Sequence, residues 1–400
     1  MLHRSALWAL LILCAGAVCP GYAQESGIRV SDSDTIRYTY TPLPQEAPRK
    51  KPFLKRIVDY FGQSTTDRTF EKKIDFTFAG GPSYSKTTSL GIGLLAAGLY
   101  RLDRTDSITV PSDISVFASV YISGFYAVGV SGNTIFAKNK QRLSYSAEFI
   151  SAPRDFWGIG YDNGLHNEVS TYSEKRIQIE GRYLHEILPH TYLGGVVSFD
   201  YTRGIKFSRP EYIAGEKTQY TATGIGAIAE YDSRDFIPNP FKGVYVSFQE
   251  TCYPKSLGNC GKALWQTTIT ADAYHRVWKD AILATDLYAE FNSDGTPWPM
   301  LARMGGNQRM RGYYLGRFTD NDMITLQIEL RQRIWRRIGA VVWGGAGNVF
   351  PSLAEFDWGK TLPNYGLGLR WELKKRVNVR LDYGFGKETS GFLLSINEAF

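Results

Sequence analysis

The sequence predicts an all-β fold, a transmembrane antiparallel β-barrel of about sixteen strands. Three features predict it: an N-terminal export signal, an apolar–polar alternation of period two over most of the chain, and a strand-like ending on an aromatic residue.

The signal comes first. Met1 to Arg4 carries positive charge, Ala6 to Val18 is an unbroken small and apolar run, and Gly21-Tyr22-Ala23 fits a small-x-small cleavage site before Gln24. Residues 1–23 are therefore expected to be removed as a signal peptide. Leu13 before Cys14 and Val18 before Cys19 fit a lipid-attachment site poorly, so no lipid anchor is expected. Two of the four cysteines leave with the signal. Cys252 and Cys260 remain, bracketing the turn-like stretch from Tyr253 to Asn259, and in an oxidising compartment a short disulfide loop between them is expected.

The composition narrows the class. The chain is 14% aromatic and 21% charged and carries 40 glycines. After the signal no apolar run approaches the ~18 residues that a spanning helix needs. Export, aromatic richness and modest hydrophobicity are reconciled by a membrane barrel, in which only alternate residues face lipid. The formal net charge of +7 fits basic residues that face a lumen or anionic lipopolysaccharide. No nucleic-acid-binding module accompanies it.

From Gln24 to Glu71 the chain is polar, and Pro42, Pro44, Pro48 and Pro52 mark a periplasmic linker, 24–71. Within it, Phe53 to Phe61 spaces apolar residues as a short amphipathic helix would. A helix at the barrel mouth or in the lumen and a partly ordered tail both fit that stretch.

From Lys72 onward, residues 72–400, the period is two. Arg176, Gln178, Glu180 and Arg182 alternate with Ile177, Ile179, Gly181 and Tyr183. Thr325, Gln327, Glu329 and Arg331 alternate with Ile324, Leu326, Ile328 and Leu330. A soluble sandwich would turn the apolar face inward, a membrane barrel outward; the alternation alone does not choose, and the export signal and chain end favour the barrel. The chain ends with Phe392, Leu394 and Ile396 at period two and finishes on Phe400, with Glu398 interrupting the register. Strands are expected near 72–84, 87–101, 113–122, 124–138, 140–151, 171–186, 191–208 and 218–232, then near 242–253, 262–278, 280–292, 323–335, 338–349, 363–373, 376–387 and 391–400. With a periplasmic N-terminus, the Cys252/Cys260 turn and the long segment from Ser293 to Asp322 fall on the extracellular side.

That long segment carries the most specific pattern. Met304-Gly-Gly-Asn-Gln-Arg-Met-Arg311-Gly312-Tyr313 precedes a strand containing Glu329-Leu330-Arg331. Tyr231-Asp-Ser-Arg-Asp235 is followed by Pro238, Pro240 and Gly243, and Ala346-Gly347-Asn348-Val349-Phe350 comes later. Taken in order, these resemble the barrel of the BamA/TamA superfamily of outer-membrane protein assembly factors (bacterial surface antigens), whose hallmark is an Arg-Gly-Phe/Tyr tripeptide between the eleventh and twelfth strands. The resemblance covers Lys72 to Phe400. It implies a long extracellular loop folded into the lumen, locked there by Arg311, Gly312 and Tyr313 with Glu329 as the best wall partner and Asp382 and Glu290 as weaker ones. An arginine on such a loop can bridge to a wall carboxylate by paired hydrogen bonds. Relatives also carry an aromatic-x-Asp-x-Gly pattern on the thirteenth strand; here Trp343 is followed by Gly345 in the aspartate's place. Residues 24–71 cannot hold one of the periplasmic POTRA domains of members that insert other barrels, a layout that resembles short, POTRA-less members of Bacteroidetes type.

The resemblance implies a role in outer-membrane biogenesis without covalent chemistry. A lateral seam is expected between the first strand, with Phe78, Gly80, Gly81 and Pro82, and the last, with Leu394 and Phe400, since glycine and proline weaken a strand edge. The partners implied are outer-membrane lipid and lipopolysaccharide, client outer-membrane proteins, and a periplasmic delivery factor or other assembly-machine subunits. A loop-plugged channel or scaffold is the second reading. An enzyme is not expected: there is no Gly-x-Ser-x-Gly elbow, and His166, His185, His190 and His275 form no metal-ligand signature. No cofactor or metal is expected.

Overall fold

The computed structural model describes residues 69–85, 89–237, 239–374 and 377–400. The expected signal peptide, the short amphipathic stretch 53–61 and all but the last residues of the linker lie outside them.

The order of elements is β1 (Asp75–Ser85), β2 (Ser89–Tyr100), β3 (Ser112–Tyr121), β4 (Tyr126–Ile135), β5 (Gln141–Phe156), the one-turn helix α1 (Tyr161–His166), β6 (Ser170–Leu188), β7 (Thr191–Ile205) and β8 (Gln219–Asp232). There follow β9 (Gly243–Tyr253), β10 (Leu264–Trp278), β11 (Ala281–Asn292), the short pair β12 (Ala302–Met304) and β13 (Phe318–Asp320), then β14 (Asp322–Trp335), β15 (Ile338–Phe350), β16 (Leu362–Lys374), β17 (Val377–Gly386) and β18 (Thr389–Ile396). Sixteen of these form one antiparallel sheet in sequence order, with β11 pairing directly to β14. No described helix is long and apolar enough to cross a membrane.

Exposure decides which way the alternation faces. On β9, Val244, Val246 and Phe248 are exposed while Ser247, Gln249 and Thr251 are buried. On β14, Leu326 and Ile328 are 44% and 47% exposed, whereas Thr325, Gln327 and Glu329 are 1% or less. A soluble sheet would be the reverse. Apolar side chains pointing outward around a polar interior are the arrangement of a transmembrane β-barrel. Trp278, Trp335 and Trp371 are exposed near the short-turn ends of their strands, where an interfacial aromatic girdle belongs.

The short turns repeat one local solution. After β6, β10 and β14 the register shifts by one residue, between Glu186 and Leu188, Arg276 and Trp278, and Arg333 and Trp335. A turn residue then takes positive φ: His190 (62°), Asp280 (62°) or Arg336 (46°). An αL residue beside a bulge makes the hairpin's tight reversal compatible with strand twist. In outer-membrane barrels such short turns face the periplasm and the longer loops face outward.

The sheet curls round on itself. In the β15–β16 loop, Lys360 Nζ lies 2.8 Å from Asp162 of α1, and Lys387, between β17 and β18, reaches Tyr161. Among the described residues no ladder joins β1 to β18. The last strand is shorter than its sequence suggested. It stops at Ile396; Asn397 has φ 65°, and the following residues leave the sheet. Glu398 and Ala399 are buried, and the Phe400 carbonyl accepts a hydrogen bond of 2.8 Å from Arg331 Nη2. Phe400 therefore does not continue the outward alternation of Phe392 and Leu394. The charge of Glu398 explains why: its carboxylate finds Arg370 inside the barrel (2.7 Å), which no lipid-facing position offers.

The expected disulfide is also absent. Cys252 and Cys260 are both free thiols. Cys252 belongs to the outward phase of β9, with Val246 and Phe248, whereas Cys260 packs against the buried Ala222, Tyr253 and Leu264 on the inner side. The wall of the sheet separates them.

Candidate functional site

The interior is occupied by the segment between β11 and β14, in which β12 and β13 pair as a small hairpin. Its apolar residues make two cores against the wall. Ala302, Met304, Met310, Tyr313 and Phe318 pack with Met323, Val349 and Leu362; Trp298 and Leu301 pack with Phe156, Tyr172, Ile213 and Tyr220. The buried apolar surface thus lies between loop and wall. That burial, ~25 cal/mol per Å², favours a loop seated in the lumen over one in solvent.

Arg311 is fully buried. Its Nη2 donates to Glu329 Oε2 on β14, its Nη1 lies 2.8 Å from Asp382 Oδ2 on β17, and its guanidinium sits 3.8 Å from the centre of the Trp343 ring. Glu329 is thus one partner, and Asp382 is an equal one rather than a weaker one. Glu290 does not join: it accepts from Tyr288 (2.8 Å) and Gln266 (3.1 Å) instead. Both acids share the inward phase of their strands, and only depth in the barrel separates their roles.

The two residues after Arg311 fix the loop's path. Gly312 has φ 109°, and a Cβ there would stand 2.7 Å from the backbone carbon of Gly384 on β17. Loop and wall backbones meet at this point. Tyr313 donates from its hydroxyl to Pro363 O (2.7 Å) and accepts from Lys387 N (2.7 Å), with its ring over Gly386.

Gly345 is explained by its neighbour. A Cβ at Gly345 would lie 2.6 Å from both Asn364 Oδ1 and Leu326 O. The Asn364 amide fills the place above it and, in its better-satisfied orientation, accepts from Arg311 N and donates to Gly345 O, each at 3.3 Å. An uncharged amide, placed by β16, fills the space that a side chain at position 345 would need, and Asp382 and Glu329 supply the charge.

Sequence reasoning missed three further contacts between loop and wall. Arg309 grips Asp286 on β11 with Nε and Nη2 contacts of 2.8 to 3.0 Å and stacks 4.1 Å from the Tyr288 ring centre. Arg303 lies 3.6 Å from Glu174 on β6, which also accepts from Arg154 at 2.8 Å. Arg380 Nη2 donates to the loop carbonyl of Asn307. Arginine recurs along the loop and acids recur on the inward phase of the strands; that was the available signal, but which acid meets which arginine depends on cross-strand height.

The expected seam residues are not brought to one point. Phe78 and Leu394 both point outward, from the first and last strands; Gly80 and Gly81 lie on β1; Phe400 lies inside. Among the described residues no group of three or more His, Cys, Asp and Glu is arranged to hold a metal.

The Omp85 superfamily domain matches residues 127–400. The chain belongs to the Omp85 superfamily. Solved structures agree with this Omp85 assignment in fold. BamA from Haemophilus ducreyi lacking POTRA domains 1–3 is 13% identical at a TM-score of 0.50, covering 82% of this chain and 69% of that one. CdiB from Escherichia coli (12% identical, TM-score 0.56) and CdiB from Acinetobacter baumannii (11%, 0.52) each cover 82% of this chain. The chain spans about three fifths of those CdiB chains, 62% and 60%. Identities this low speak for the fold. No curated protein matches the chain. This Omp85 chain is thus an outer-membrane β-barrel whose lumen holds an arginine-clamped loop.

Proposed function

We propose that the protein is an outer-membrane biogenesis factor, or an accessory subunit of one, that assists insertion of other outer-membrane proteins through a lateral seam between β1 and β18. The observation that carries this reading is the closing strand: β18 spans only eight residues before Asn397 takes φ 65° and the chain turns inward, so it offers the first strand a short partner. A short closing strand is readily displaced or extended by an incoming strand through main-chain hydrogen bonds. Gly80, on the outward phase of β1 with Phe76 and Phe78, adds no side chain to hold the seam shut. The lumen supports the same reading, since a clamped loop closes the transverse route and leaves the lateral one. The process breaks no covalent bond, so no catalytic residue is assigned. Client outer-membrane proteins, outer-membrane lipid and lipopolysaccharide, and a periplasmic delivery factor or other subunits are the partners.

The test is a cysteine pair, Phe78→Cys with Leu394→Cys, in a Cys252→Ser/Cys260→Ser background, crosslinked in cells of the native host. Depletion of other barrel proteins from the outer membrane, reversed by reduction, is the expected outcome. Unchanged membrane composition in fully crosslinked cells would overturn the seam reading. The second reading, a loop-plugged channel or scaffold, is favoured by a polar chamber of about 670 Å³ between the loop and the wall from β6 to β11. It predicts stepwise ion conductance in planar bilayers when the loop is released by Arg311→Ala.

A further inference from the structure

On the side of the sheet away from the short turns, a cavity of about 250 Å³ opens between α1, the β15–β16 loop and the lumen hairpin. It is much larger than the ~10–15 Å³ that a single water occupies by the same measure. Ile159, Val349 and Phe350 give it apolar walls, and Asp162, Glu355 and Asp357 reach it from the outer loops. The lysine that lines it, Lys360, is already engaged, with its Nζ 2.8 Å from Asp162. Glu355 accepts from Ser352 Oγ (3.2 Å) and Asp357 from Gly359 N (2.8 Å), and neither has an ion pair among the described residues.

A different element supplies the second observation. Asp320 of β13 lines the same cavity from the lumen hairpin and is only 5% exposed. Its Oδ1 accepts from Asn321 N at 2.8 Å. Its Oδ2 accepts no hydrogen bond among the described residues, yet it is not sealed off. It points at the cavity wall at Gly160, 3.9 Å from where a Cβ there would stand. A buried carboxylate oxygen without a donor is costly. Asp322 of β14 and Glu355 add negative charge around it, against Lys360 alone.

A cation in the cavity relieves both the orphaned oxygen and the like charges. Its chemistry follows from the walls. Among the described residues no three His, Cys, Asp or Glu side chains are arranged to hold a metal. An ammonium group on a short alkyl chain suits dispersed acceptors in an apolar lining, because its three donors turn to separate oxygens while the chain covers Val349 and Phe350.

We propose that this cavity binds an alkylammonium group, with Asp320 Oδ2 as the inner acceptor and Glu355 and Asp357 at the rim. The group comes either from a free amine or from a lysine side chain of an extracellular polypeptide. Bound there, it ties the β15–β16 loop to the lumen hairpin.

The experiment uses the full chain in an uncharged alkyl maltoside. n-Butylammonium chloride is titrated by isothermal calorimetry, with sodium chloride at equal ionic strength as the reference. Saturable binding of the amine alone is expected. Proton and amine compete for Asp320, whose carboxyl burial pushes up to about 6, so binding is present above that pH and lost as pH falls through it. Asp320→Asn keeps an oxygen for Asn321 N and is expected to weaken binding about tenfold, the worth of one charged contact. Glu355→Gln, at the exposed rim, is expected to weaken it in the same direction. Tighter binding of a blocked Gly-Lys-Gly peptide than of n-butylammonium assigns the polypeptide lysine, and the reverse assigns the free amine. Equal heats from sodium and amine, calcium binding in place of the amine, or unchanged amine affinity in either variant overturns the proposal.

Discussion

At the scale of single residues the clamp rests on charge placed where water is excluded. Arg311 is buried with both of its carboxylate partners, so deleting it removes the cation that ties the loop to β14 and β17, while Arg331 and Arg370 stay on the two acids. Removing one partner of a buried pair costs about 3–5 kcal/mol. Arg311→Ala is therefore expected to free the loop for limited proteolysis and to lower the temperature up to which folded mobility survives on gels. Arg311→Lys should recover only part, since one ammonium cannot fork to two strands. Lys138→Ala, in an exposed turn, should change neither readout. Persistence of loop protection in Arg311→Ala would remove the clamp from the account. Gly345 allows a sharper test. Gly345→Asp forces a side chain into Asn364 and the Leu326 carbonyl, an overpacking that costs about 1–3 kcal/mol. Adding Asn364→Gly should recover most of that loss in chemical unfolding; if the double variant is no better than the single, the two positions do not share one space.

At the scale of elements, the loop hairpin carries a pH dependence. Asp320 on β13 is buried beside Asp322, and burial pushes its carboxyl up to about 6 from an ordinary value near 3.8. A raised folded value means the folded state holds the proton more tightly than the unfolded one. The hairpin is therefore favoured at low pH, and that advantage is lost as pH rises from about 4 through about 6. Asp320→Asn keeps an oxygen for Asn321 N and removes the ionisation. It should stabilise the loop at pH 7.5 by no more than about 3 kcal/mol, with the gain fading near pH 4. A gain of equal size at both pH values would show that the carboxyl does not titrate as placed. On the outer rim, Lys360 beside Asp162 holds that carboxyl below its usual range, but both are open to solvent, and a surface pair of this kind adds little.

At the scale of the whole molecule, the sheet is an inside-out version of a soluble fold, with polar groups in the lumen and valine, leucine and phenylalanine outside. That inversion separates Cys252 from Cys260. Thiol titration of the unreduced, denatured chain should find Cys252 and Cys260 both free, and a reductant should leave gel mobility unchanged; loss of both thiols would mean that the wall between them is misplaced. What the sequence determined by itself is the local periodicity: sixteen strands at nearly their observed positions, the short turns, and the loop with Arg311, Gly312 and Tyr313. These are legible because strand alternation and turn chemistry are set by neighbours a few residues apart. Only the tertiary structure decided the rest. Asp382 and Glu290 carry the same inward phase, yet one holds Arg311 and the other does not, because the stagger of β11, β14 and β17 sets their depth. Glu398 looked like a flaw in a lipid-facing strand and proves to be the reason that the residues after Ile396 turn inward, since the arginine that attracts it lies on β16 and not beside it in the chain.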